Sequence, residues 1–166
     1  MHERSPKSSA IDTLLYERDM LRYCAETIDT KQKRFQQSKS DEDAAEYYLG
    51  IEGFLLHFRN LLGFFINKGP KSTDLTIDHP ERWADGKPVD ESVCRKLTKS
   101  AKKVNQDHGL DGGDCYQKIS WFLQHCTVYR HRQPRDWDID RMFADIRPVL
   151  DEFVTNFAPE ITKNEV

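Results

Sequence analysis

The sequence predicts an all-α protein, an antiparallel bundle of four to five helices. Three observations lead there. Apolar residues recur at helical spacing in five segments, capping residues stand in front of those segments, and nothing reads as a paired set of strands. Composition agrees, since 37% of the 166 residues are hydrophobic and 32% are charged. Such a chain suits helices that each bury one stripe and leave the rest in water.

Residues 1–8 read as a tail. Ser9 and Asp12 form a capping box that opens the first helix. Leu14, Leu21, Ile28 and Phe35 then recur every seven residues, the seam of a long helix against an antiparallel neighbour, ending near Ser38. Ser40 or Asp41 caps a second helix that runs toward Gly69 and Pro70. It is apolar nearly all round, which marks a central helix. Gly50, Gly53 and Gly63 inside it point to close approach of a neighbour, because each costs about 1 kcal/mol relative to Ala.

Residues 70–89 form a long loop that Leu75, Ile77 and Trp83 would anchor to the core. Asp90 opens a third helix, with Val93, Leu97, Ala101 and Val104 inward and Gly109 at its end. Asp114 and Gln117 open a fourth, reaching to about Tyr129. The fifth starts near Asp138 and contains Pro148, which should kink it or loosen its first half. Residues 9–157 thus make a single domain, with 158–166 as a second tail.

The net charge of −3 offers no global field for nucleic acid. The opening MHERSPKSSA has no apolar run of the signal-peptide kind, and Glu52, His57, Arg59 and Asn60 interrupt the most apolar segment. A cytoplasmic location without membrane contact is therefore expected. The four cysteines, Cys24, Cys94, Cys115 and Cys126, form no CxxC pair and read as reduced thiols. His108, Cys115, His125, Cys126 and His131 fit no standard zinc spacing, so neither metal nor cofactor is expected.

Two clusters could carry chemistry. Glu52 and Arg59 project from one side of the second helix, His57 and Asn60 from another. They form either a structural Glu52–Arg59 pair or a functional cluster facing a cleft. His125, Thr127 and Arg130 close the fourth helix, where Arg130 continues the buried stripe and either complements the helix C-terminus or reaches the Glu52/Arg59 side of the bundle. The outer face of the third helix carries Arg95, Lys96, Lys99, Lys102 and Lys103. It reads as a solvated face or as a contact for RNA phosphates.

The stretch HFRNLLGFF (57–65), Asp78, Trp83, the stretch QHCTVYR (124–130) and Trp137 form an ordered pattern. It resembles a set of bacterial helical-bundle proteins with HxRxLxxFF and HxTxxR elements, over roughly residues 46–157. More loosely it resembles the HEPN superfamily, many of whose members dimerise and cleave RNA in defence and toxin–antitoxin systems. The resemblance implies a homodimer and an Arg-x4-6-His cleavage motif. Arg59-Asn60 matches the first half, but positions 64–66 are Phe64, Phe65 and Ile66. A binding or regulatory module with degenerate catalytic residues is the resulting expectation. A metal-independent endoribonuclease using Arg59, Asn60, Arg130 and His57 or His125 is one alternative, and a purely structural partner-binding protein is another.

Overall fold

The computed structural model describes residues 9–66, 74–109, 113–124 and 137–158. Within them the protein is all-α: α1 spans Ala10–Ser38, α2 Asp41–Ile66, α3 Glu91–Asp107, α4 Cys115–Gln124 and α5 Ile139–Phe157. A short 3-10 turn, Pro80–Arg82, punctuates the stretch between α2 and α3. The segment proposed as a tail at 1–8, residues 159–166 of the tail proposed at 158–166, and the Gly69-Pro70 stop lie outside the described residues, while Ala158 is buried and caps the last helix.

Side chains set the helix starts as expected. Ser9 and Asp12 complete the capping box of α1, with Ser9 N–H donating to Asp12 Oδ2 at 2.7 Å. Ser40, rather than Asp41, caps α2, its Oγ accepting from the Asp43 N–H at 3.2 Å. Asp90 caps α3, Asp114 accepts from the Gln117 N–H at 2.7 Å, and Asp138 caps α5. Each cap satisfies an otherwise orphaned donor, worth about 1 kcal/mol. The α3 helix stops at Asp107, before Gly109. Pro148 does not end α5, which continues through it to Phe157. Ile146, Val149 and Leu150 are buried on both sides of the proline, so packing holds the turn that has lost one backbone donor.

The first two helices form an antiparallel hairpin. Arg34 pairs with Asp43 and Glu46 near the turn, Gly53 faces Cys24 midway, and Glu17 meets His57 and Asn60 farther along. The approach is close: a Cβ on Gly53 would lie 3.1 Å from Cys24 Sγ, which explains the glycine. α2 also packs on α3 and α4, while α5 packs on α3 and α1. Phe54, Leu55, Phe58, Leu61, Leu62 and Phe65 of α2 are nearly inaccessible and form the middle of the core. By length and composition alone α2 could cross a membrane; its burial by other helices is also what a core helix requires.

The loop before α3 drapes over the end of this core. Ile77 and Trp83 are fully buried and Leu75 partly so. Trp83 sits among Phe64, Phe153 and Phe157, with ring centroids 5.8, 5.5 and 5.2 Å away. The Ile77 N–H donates to the Phe64 carbonyl at 3.0 Å, tying the loop to the last turn of α2.

Candidate functional site

The polar groups of α2 divide between its two flanks. Residues two apart on a helix point about 200° away from each other, so His57 and Arg59 cannot face one cleft. His57 turns to α1. Its Nδ1 lies 2.8 Å from Glu17 Oε2, and its side chain is only 10% exposed. Asn60 joins the same carboxylate, with Nδ2 donating to Glu17 Oε2 at 3.1 Å. Tyr16 covers the imidazole edge-on, 5.9 Å between centroids. Glu17 thus gathers two of the candidate catalytic residues, and His57 is a buried inter-helix partner rather than a solvent-facing residue.

Arg59 turns to α4. Its Nε donates to Ser120 Oγ at 2.7 Å, and its guanidinium lies 5.1 Å from the centre of the Tyr116 ring. The Tyr116 hydroxyl stands 3.5 Å from a terminal nitrogen, at the edge of hydrogen-bonding range. Ser120 donates onward to the Tyr116 carbonyl at 2.8 Å. The guanidinium is thus held by α4, a contact that the expected Glu52–Arg59 pair did not include. Seven residues of helix separate those two by about 10 Å of rise, whereas α4 lies directly against Arg59. His125 and Arg130, the other candidate catalytic residues, lie outside the described residues.

Glu17, Tyr116 and Ser120 escaped sequence reasoning. A signal existed for Glu17, which stands three residues after Leu14 and four before Leu21, on the buried stripe of α1. A carboxylate there must find a partner. Tyr116 and Ser120 are four apart and share a face of α4, but nothing in the sequence says which helix that face meets.

A second histidine pair closes the other side of the core. His108, just past the end of α3, sets Nε2 2.9 Å from Asp145 Oδ2 on α5, and its ring meets Phe58 edge-on. Cys115 is fully buried, and that burial pushes its thiol up to about 12. Burial also raises the Cys24 and Cys94 thiols and lowers the ammonium of Lys118, which lies 4.1 Å from the Trp137 ring centre. Among the described residues no three His, Cys, Asp or Glu side chains group to hold a metal.

On the outer face of α3, Arg95 pairs with Glu91 at 3.3 Å and Lys96 with Glu152 at 2.7 Å. Lys99, Lys102 and Lys103 have no carboxylate partner among the described residues, and with Asp78, Arg95, Thr98 and Gln106 they line one open surface. Compared with protein-family models, curated proteins and solved structures, the chain has no match.

Proposed function

We propose that the chain is a HEPN-like helical bundle of cytoplasmic origin that binds a partner and does not cut RNA. One observation carries this reading. Arg59 is engaged by α4, while His57 and Asn60 are engaged by Glu17 of α1 on the opposite flank of α2. General acid–base cleavage needs an arginine and a histidine around one phosphate. Here the same residue types hold α2 to its two neighbours.

Homodimerisation is part of the reading. Leu49 and Leu56 of α2 are 66% and 42% exposed, and Tyr16, Tyr23 and Trp121 are more than half exposed. Large apolar side chains left in water on neighbouring helices favour burial by a second copy. Lys99, Lys102 and Lys103, without a carboxylate partner among the described residues, are the surface we assign to a phosphate-bearing partner, RNA in a regulatory or defence setting. A gel-shift series with RNA in EDTA at rising salt tests both halves. Intact RNA shifted at low salt, with the shift weakened by Lys99→Gln, Lys102→Gln and Lys103→Gln, is the expected result. Unshifted RNA would remove the nucleic-acid partner and leave a protein partner.

One observation favours the endoribonuclease alternative: Ser120, the partner of Arg59, lies five residues before His125 in the chain. His125 and Arg130 are therefore the residues through which cleavage would have to run.

A further inference from the structure

The outer face of α3 separates into engaged and disengaged cations. Arg95 is taken by Glu91 and Lys96 by Glu152. Lys99, Lys102 and Lys103 are exposed, stand on one open surface with Gln106, and enter no ion pair or hydrogen bond among the described residues. Asp78 lines the same surface, but together with Arg95 it also lines the neighbouring hollow of the 77–89 loop. From Lys99 to Gln106 the helix contributes no carboxylate, and Asp107, one residue on, does not line the surface.

Helix geometry sets the charge density of this array. From Lys99 to Lys103 the axis rises about 6 Å, so three positive charges fall within that length. A nucleic-acid duplex carries about one phosphate per 1.7 Å of its axis, or about three to four over the same distance. One of its strands alone carries about one per 3.4 Å, or about two. A helix laid over a groove meets phosphates of both strands, and only the duplex matches three cations so closely spaced.

The surface also lacks what reads or holds a base. Neither its lining nor α3 itself contains an aromatic ring, whereas stacking on such rings is what secures single strands on proteins. Arg95 has the fork geometry that recognises guanine, but Glu91 occupies it. Lysine ammonium groups act on phosphates as point charges.

We propose that α3 lies along the phosphate backbone of a nucleic-acid duplex and binds it without regard to sequence. The proposal rests on the reading of the α3 lysines as a phosphate contact and adds the form of the partner, double-stranded rather than single-stranded.

Fluorescence anisotropy on the full chain tests it, with a labelled RNA duplex, its isolated strand, oligouridine, a duplex of unrelated sequence and a DNA duplex as probes. Lys99→Gln, Lys102→Gln and Lys103→Gln are compared after circular dichroism shows an unchanged fold. The duplex should bind roughly tenfold tighter than its isolated strand at low salt, the effect of about one further phosphate contact. The two RNA duplexes should bind alike. The slope of log affinity against log salt should be about −2.7 for three contacts, and each lysine variant should make it shallower by about 1. Equal or tighter binding of the isolated strand or of oligouridine overturns the proposal while leaving RNA as the partner. A roughly tenfold difference between the two RNA duplexes overturns it too, because one bidentate base contact gives that much. So does a salt slope that the lysine variants leave unchanged. A DNA duplex bound as tightly as RNA upholds the duplex and removes the preference for RNA. Absence of binding to every probe overturns the proposal together with the nucleic-acid reading beneath it.

Discussion

Arg59 Nε donates a 2.7 Å hydrogen bond to Ser120 Oγ, tying the central helix to α4. The bond belongs to a half-buried contact that includes the face of Tyr116. Arg59→Ala is therefore expected to cost about 1–3 kcal/mol, the sum of a hydrogen bond to a charged group and a cation–π contact. That is below the about 3–5 kcal/mol of a broken buried ion pair. Urea unfolding measures it, and a loss within 0.5 kcal/mol of zero would show that the contact contributes nothing.

Glu17 organises the opposite flank. Removing it leaves the His57 ring and the Asn60 amide without their shared acceptor. Glu17→Ala and His57→Ala should each destabilise, and their double-mutant cycle should show coupling of about 0.5–3 kcal/mol. Additive losses would mean that the 2.8 Å contact is energetically silent.

Trp83 anchors the draped loop by shape rather than by hydrogen bonding. It is fully buried, and its Nε1 meets no acceptor among the described residues. Trp83→Phe consequently loses volume but no hydrogen bond, whereas Trp83→Ala opens a large cavity worth about 3–5 kcal/mol. Thermal unfolding should rank wild type, Phe and Ala in that order, with Phe much nearer wild type. A Phe variant as damaged as the Ala variant would refute the packing account.

The Cys115 thiol, held near 12 by burial, gives a pH dependence with a definite sign. The folded state keeps this proton while an unfolded, solvated thiol loses it near the ordinary value of 9.0. The contribution is fully present below that value and is lost as pH rises toward 12. Cys115→Ser should flatten the decline in stability over this window. In native protein at pH 8, alkylation of Cys115 should be the slowest of the three described thiols, because only the thiolate reacts.

The helix ends were legible because their causes are local. Ser9 with Asp12, Asp90, Asp114 and Asp138 each act within one turn, and the heptad run from Leu14 to Ile28 announces its own buried face. What joins α2 to its neighbours was not legible. Glu17 lies 40 residues from His57, and Ser120 lies 61 from Arg59. Sequence spacing placed Glu52 and Arg59 on one side of a helix but could not say that Ser120 and Tyr116 of α4 would meet Arg59. Pro148 was legible as a residue inside the fifth helix, and the burial of Ile146, Val149 and Leu150 around it holds that helix through the lost backbone bond.

The central claim, that Arg59 and His57 serve packing rather than chemistry, meets its most direct test in an RNA cleavage assay. Purified full chain would be incubated with tRNA and mRNA in EDTA, beside Arg59→Ala and His125→Ala variants shown to be folded. The account predicts intact RNA in every lane. Cleavage by the wild type that either variant abolishes would contradict it and establish a metal-independent ribonuclease.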